Sequence, residues 1–180
     1  WLSTTYARAG EGGTGAAKCG GNYAASMIAQ TEGEKHGCKQ VIFKDPHRGD
    51  AIEELGGMNV FFIFGKENKI VTPELTGTIL EGVTRSSLIQ LAKDRGMTVE
   101  ERAITLTEWR EGVANGDITE IFACGTAAVV APIGKLKAED FEIPAPTEHF
   151  GEISKSLREE LVGIQLGTVE DRHGWMTRLI

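Results

Sequence analysis

The sequence predicts an α+β domain, a mixed sheet with helices around it. Three observations predict it. Apolar runs rich in β-branched and aromatic residues stand at 40–44, 58–64, 118–124 and 127–133; turn-forming groups separate them; and segments 84–95 and 151–166 repeat their apolar residues at helical spacing. Strands interleaved with helices, some of them in hairpins, argue for a mixed sheet.

In chain order, residues 22–36 are alanine-rich and moderately helical, and Gly37 supplies the stop. Residues 40–44 read as a short buried strand, ended by the turn at 45–50. The continuous apolar run 58–64 is a strand, 65–68 a hairpin turn, and 69–72 the strand returning antiparallel. Residues 84–95 carry apolar side chains at 88, 89, 91 and 92, with Thr84 placed to cap the start and Gly96 to end it. Strand character resumes at 97–104, a short helix with Trp109 on its apolar side follows at 107–115, and the strands 118–124 and 127–133 flank the Gly125-Thr126 turn. Residues 134–143 suggest a surface hairpin. In 151–166, Ile153, Leu157, Leu161 and Ile164 form one stripe expected to face the core. Residues 171–180, with Trp175, are expected to pack as an ordered tail.

A chain of 180 residues can bury one core, so length predicts one domain or two small ones. Its 41% hydrophobic and 25% charged residues are ordinary for a soluble globular protein. The net charge of −7, without clustered lysines or arginines, argues against a nucleic-acid or anionic-membrane surface and leaves small molecules as the expected substrates. No apolar run approaches the ~18 residues of a membrane span, and the first residues lack the pattern of a secretory signal, so a cytoplasmic location is expected. Cys19, Cys38 and Cys124 are odd in number and widely spaced, which fits a reducing compartment; with His36, His47, His149 and His173 equally scattered, no metal site is expected.

The chemistry centres on Lys18. Five glycines occupy positions 12–21 around it, so whatever the lysine touches can approach the main chain closely. A surface lysine in a flexible loop and a nucleophilic lysine are the two readings. The stretch Gly10-Glu11-Gly12-Gly13-Thr14-Gly15 formally satisfies the dinucleotide fingerprint, but no apolar strand precedes it. The phosphate-loop pattern fails too, because Ala17 precedes Lys18 and Cys19 follows it.

Four blocks distinguish the two readings of Lys18: Ala17-Lys18-Cys19-Gly20-Gly21-Asn22-Tyr23, Glu54-Leu55-Gly56-Gly57-Met58-Asn59-Val60-Phe61, Gly82-Val83-Thr84-Arg85 and Gly125-Thr126-Ala127-Ala128. In this order the chain resembles the branched-chain amino-acid aminotransferases, a class IV group dependent on pyridoxal phosphate, with the fold of D-amino-acid aminotransferases. The resemblance implies an open-sided β pseudo-barrel with surrounding helices. It also implies that residues 1–10 are the remnant of an interdomain connection, that 11–180 are the C-terminal coenzyme-binding domain, and that a small N-terminal domain lies outside this chain. The implied activity is transamination between leucine, isoleucine or valine and 2-oxoglutarate, by a homodimeric parent enzyme acting on small amino acids and 2-oxo acids. The alternatives are a D-amino-acid aminotransferase, an aminodeoxychorismate lyase, or an isolated domain without activity.

Residue by residue, the resemblance makes Lys18 the catalytic lysine that holds pyridoxal 5'-phosphate and later moves a proton. Glu54 becomes the partner of the pyridine nitrogen, against the alternative that Glu53 and Glu54 are an exposed acidic pair. Tyr23 becomes the hydrogen-bonding partner of the 3'-oxygen, a role compatible with a core tyrosine. Val83 and Thr84 open a helix whose N–H groups and dipole suit a phosphate; Thr126 adds a hydroxyl, and the amides of Thr126 and Ala127 face the substrate carboxylate. Glu81 stands where such proteins usually have proline, which places a negative charge near the phosphate corner. The phosphate-gripping arginine, and most of the substrate pocket, belong to the missing small domain. Ala128 and Ala131 stand where some relatives carry a CxxC pair, so no thiol switch of that kind is expected.

Overall fold

A computed structural model describes residues 1–147 and 149–179. The chain forms α1 (Gly20–Lys35), β1 (Ile42–Lys44), β2 (Ile52–Leu55), β3 (Asn59–Phe64), β4 (Lys69–Thr72), α2 (Val83–Asp94), β5 (Thr98–Glu101), α3 (Leu106–Ala114), β6 (Ile118–Gly125), β7 (Val129–Pro132), β8 (Lys135–Lys137), β9 (Glu142–Pro144) and α4 (Glu152–Gln165). Five strands make one sheet in the order β5-β4-β3-β6-β7, while β1-β2 and β8-β9 are separate pairs. The fold is therefore α+β, with open sheets and no closed barrel among the described residues. The large sheet is mixed as expected: β4 and β5 are parallel, joined by the α2 crossover, and its other pairs are antiparallel.

β3 lies at the centre of the sheet with both faces covered, which is why, after Asn59, its residues 60–64 are a continuous apolar run rather than an alternating one. Phe61 and Ile63 join Leu88, Leu91, Leu157 and Leu161 under α2 and α4. Val60, Phe62 and Phe64 face the opposite way, into a cluster with Ile52, Ile104, Trp109 and Leu136. The α4 stripe packs as expected, with Leu157, Leu161 and Ile164 buried and Ile153 partly so. Gly37 and Gly96, both at positive φ, follow the ends of α1 and α2.

Several local expectations need correction. Ile52–Leu55 is a strand that the sequence did not announce, and it buries both Glu53 and Glu54, so the exposed acidic pair is excluded. The residue capping α2 is Gly82, not Thr84, and no side chain caps it. β5 is shorter than 97–104; as an edge strand it ends among Glu100, Glu101 and Arg102, whose charges suit an unpaired edge. The tail is exposed rather than packed through 172–179, held by His173 Nε2 2.6 Å from Asp94 Oδ2 and by Arg172 on Glu160. Its last residue, 180, lies outside the described residues.

The start of α4 shows how distant chain completes a helix. Its N-cap, Gly151, has no side chain to offer, and the carboxylate of Glu120 on β6 accepts instead from Ile153 N (2.9 Å) and Ser154 N (2.8 Å). The acid meets the positive end of the helix dipole while satisfying two otherwise unpaired donors.

Candidate active site

A cavity of about 270 Å³ opens where the lysine loop, the end of β2, the start of β3, the start of α2 and the β6–β7 turn converge. Its wall includes Lys18, Tyr23, Glu54, Val83, Thr84 and Thr126, residues drawn from four separate blocks of the sequence. Ala127, in the same turn as Thr126, is exposed and does not line it.

The lysine loop is shaped by backbone contacts that only small residues permit. Ala16 N donates to Gly77 O at 3.0 Å, and a Cβ on Gly15 would stand 2.3 Å from Thr78 O. Asn22, buried at the start of α1, ties the loop from within: its Nδ2 donates to Thr14 O and Ala17 O, both at 2.7 Å, and its Oδ1 accepts from the Thr14 hydroxyl. This leaves Lys18 exposed at the mouth, its Nζ 5.9 Å from the centre of the Tyr23 ring.

Glu54 forms the floor. Its Oε2 accepts from Asn59 Nδ2 at 2.9 Å and its Oε1 from Leu80 N at 2.9 Å. Arg8 Nε also lies 2.8 Å from Oε1, but not at a hydrogen-bonding angle, so this contact is chiefly one of charge. Burial pushes the Glu54 carboxyl up to about 7, against the opposing pull of Arg8 and the Leu80 N–H; nearby Glu53 adds to the rise. Glu53 is raised as well, first by its own burial, and neither of its oxygens has a hydrogen-bond partner among the described residues.

The opposite corner gathers hydrogen-bond donors. The first turn of α2 leaves backbone N–H groups without helical acceptors, and the hydroxyl-bearing Thr84 and Thr126 stand at the same cavity. Gly82 is required for this approach, because a Cβ there would come 2.2 Å from Asn59 Oδ1. Glu81 lines the cavity too, so the departure noted in the sequence places an acid on the wall. The turn 126–128 runs into Val129, whose φ of 58° is a strained value for a β-branched residue and bends the hairpin at the cavity edge. Cys124 is buried behind this turn, and burial pushes its thiol up to about 12, which disfavours the reactive thiolate.

Two wall residues escaped the sequence reading. Arg8 sat in a mixed stretch read as a linker, yet it is buried, donating to Thr78 O at 2.7 Å and Gly15 O at 3.3 Å. Asn59 belonged to a recognised block without a role, and it joins Glu54 to the carbonyl of Leu80. Their polarity inside otherwise apolar surroundings was the available signal, but their burial was not readable locally. Among the described residues, no group of three or more His, Cys, Asp or Glu could hold a metal, and no helix is long and apolar enough to cross a membrane.

Comparison with known proteins places this geometry. The family model described as "Amino-transferase class IV" matches residues 7–136. The branched-chain-amino-acid aminotransferase of Mycolicibacterium smegmatis is 52% identical over 181 residues, covering 99% of this chain and 49% of that protein. The probable branched-chain-amino-acid aminotransferase of Streptomyces coelicolor is 49% identical over 179 residues, covering 99% of this chain and 49% of that protein. The chain thus spans about half the length of the curated relatives it matches. Among solved structures, the Escherichia coli branched-chain amino acid aminotransferase superposes with a TM-score of 0.83 at 28% identity, over 99% of this chain and 55% of that one. The branched-chain amino acid aminotransferase from Thermobaculum terrenum, in its PLP-form, gives 0.79 at 29% identity, over 98% of this chain and 53% of that one.

Proposed function

The chain belongs to the class IV aminotransferase family, and on that premise we propose that it is the coenzyme-carrying part of an enzyme that moves amino groups between branched-chain L-amino acids and 2-oxoglutarate. In this reading pyridoxal 5'-phosphate is the coenzyme and residues 11–180 form its domain, while residues 1–10, the connection towards a second domain, are packed into it through Leu2 and Arg8. The parent enzyme is cytoplasmic and homodimeric. The relatives' names support the choice of branched-chain substrates over the D-amino-acid and aminodeoxychorismate alternatives.

The observation that carries the proposal is the spacing of unlike groups around one cavity: an amine at the mouth, a buried carboxylate on the floor, and a helix start with two threonines at the corner. The set fits a flat, phosphorylated pyridine aldehyde. The coenzyme, when bound, supplies the aldehyde that the lysine holds and a ring that withdraws electrons from the substrate's Cα.

The remaining work falls to this chain. Lys18 would hold the coenzyme's aldehyde and would carry the proton away from and back to the substrate's Cα. Glu54 accepts the proton-bearing ring nitrogen; Arg8 and the Leu80 N–H favour its charged form against its burial. Tyr23 orients the ring through its 3'-oxygen. The α2 amides, with Val83 and Thr84 leading, hold the phosphate together with the Thr126 hydroxyl, and the Thr126 and Ala127 amides meet the substrate carboxylate. Glu81 opposes phosphate binding unless its carboxylate turns outward to solvent, which its exposure permits.

A second reading is favoured by one fact: the chain spans half of its relatives, and Lys18 and Thr126 are exposed at the cavity mouth. In that reading the isolated domain binds coenzyme but turns over slowly, because water reaches the reacting atoms. Borohydride reduction of the chain mixed with pyridoxal 5'-phosphate, followed by peptide mapping, tests the site. The adduct is expected on Lys18, and an adduct confined to other lysines would refute the assignment. Transamination by the 180-residue chain, compared with that of a full-length relative, separates the two readings.

A further inference from the structure

Asn59, the first residue of β3, is buried and stands in the wall of the candidate site beside Glu54. Its Nδ2 donates to Glu54 Oε2 at 2.9 Å and to the Leu80 carbonyl at 3.0 Å. A carbonyl only accepts, so turning the amide over would set its oxygen against another acceptor; the partners themselves fix its orientation. Both of its N–H hydrogens are engaged. Leu80 N donates in turn to Glu54 Oε1 at 2.9 Å, so the carboxylate, the amide and the two polar groups of Leu80 close a ring of hydrogen bonds. On its other side Asn59 is held by close packing, since a Cβ on Gly82 would lie 2.2 Å from its Oδ1.

Among the described residues, Glu54 Oε1 meets Leu80 N and Arg8 Nε, while Oε2 meets Asn59 alone. Each of these neighbours is a donor, and none of them can take the proton of a neutral Glu54. The arrangement favours the carboxylate, and Oε2, with one protein partner, keeps capacity for a donor on a ligand.

We propose, resting on the coenzyme reading above, that Asn59 is a positioning residue acting through Glu54: anchored on the Leu80 carbonyl, its amide holds the carboxylate as an acceptor for the ring nitrogen. A role in packing alone would not depend on the charge of Glu54.

Carboxyl-carbon NMR of the 180-residue chain without coenzyme tests the hold on the acid, with Glu54→Gln assigning the signal. Burial sets the Glu54 midpoint at about 7 against Arg8, the Leu80 N–H and Arg85, with Glu53 adding to the rise; Lys18 and Glu81 share its cavity. Asn59→Leu keeps the bulk of the side chain and removes the donor, so the midpoint should rise by about one to two pH units, the worth of a hydrogen bond to a charged group. Thr72→Val deletes a buried bond to Val60 O in the same sheet and should cost stability while leaving the midpoint in place. A midpoint unmoved in Asn59→Leu, or moved equally in Thr72→Val, overturns the role. Where Asn59→Leu fails to fold, the native chain decides: the Asn59 Nδ2 hydrogens should shift along the Glu54 titration, and their indifference to pH overturns the role as well.

Calorimetry with pyridoxamine 5'-phosphate tests the link to the ring. Asn59→Leu should weaken binding about 5- to 30-fold in the native background and less than about twofold beside Glu54→Gln, because the amide acts through that carboxylate. Equal losses in the two backgrounds overturn the proposal. Binding absent from the native chain while the midpoint moves as expected refutes the coenzyme reading and supports the hold of Asn59 on the acid; binding present with an unmoved midpoint refutes only the role of Asn59.

Discussion

Arg8 and Glu54 are far apart in sequence and 2.8 Å apart in space, with side chains 5% and 2% exposed. Desolvating both charges is costly, and the pair persists because Asn59, Leu80 N and Thr78 O satisfy much of what the two groups do not give each other. Removing one partner strands the other. Arg8→Met is expected to destabilise the domain by about 3–5 kcal/mol, and Arg8→Met with Glu54→Gln by clearly less than the sum of the single changes. Urea unfolding of the four proteins measures the coupling; strict additivity would show that the contact carries no energy.

Burial of the same carboxyl, opposed by Arg8, sets a pH dependence. Glu54 is raised to about 7 in the folded chain, above the ordinary glutamate value, so between those limits the folded state holds the proton more tightly than the unfolded state. The Glu54 contribution therefore favours folding below the ordinary value and is lost as pH rises to about 7, an effect of about 3 kcal/mol, after which it is level. The stability of the native chain minus that of Glu54→Gln, followed from about pH 4 to about pH 8, should fall along that course. A difference independent of pH would contradict it.

The close approach at Gly15 makes a sharper demand. Gly15→Ala places a methyl group 2.3 Å from Thr78 O, a backbone atom with no rotamer to yield. The loop must shift, and Lys18 with it. We expect a loss of about 1–3 kcal/mol in stability and failure of borohydride trapping at Lys18. Normal trapping in a stable variant would mean that the lysine is placed by other contacts.

At the anion corner, Thr84→Val and Thr126→Val each remove a hydroxyl while keeping the side-chain shape. Each should weaken pyridoxal 5'-phosphate binding by about 2- to 10-fold, the worth of one hydrogen bond, and leave pyridoxal without its phosphate unaffected. Equal losses for both forms, measured by equilibrium dialysis, would remove the threonines from the phosphate site.

Away from the site, Glu120→Ala deletes the carboxylate that closes the start of α4. A loss of about 1–3 kcal/mol is expected, because two helix N–H groups lose a charged acceptor. Gly151→Ala should also destabilise, since its Cβ would fall 2.0 Å from the Glu120 carboxyl carbon. Thermal unfolding of both variants checks this, and a melting point unchanged in Glu120→Ala would show that solvent caps the helix equally well.

Helix α2, strand β3 and the hairpin it forms with β4 were legible because their causes are local: apolar spacing, a turn at 65–68, glycine after the helix. The groups now surrounding the candidate site were also recognisable, since short blocks keep their residue types in order. β2 was not legible. Four residues with two adjacent acids carry no strand signal, and the burial of Glu53 and Glu54 comes from chain distant in the sequence, as Arg8 and Leu80 lie over Glu54.

The order of residues was enough for the α+β class, the apolar centre of the sheet and the lysine-bearing loop, because periodicity and glycine content act over a few neighbouring positions. Folding in three dimensions settled which polar groups leave water. Arg8 reaches Thr78 across 70 positions, Glu120 closes a helix that starts well beyond its own strand, and Trp109 is left with a donor facing no partner among the described residues. The physical reason is that desolvation depends on everything that covers a group, whereas propensity depends on the group and its immediate neighbours.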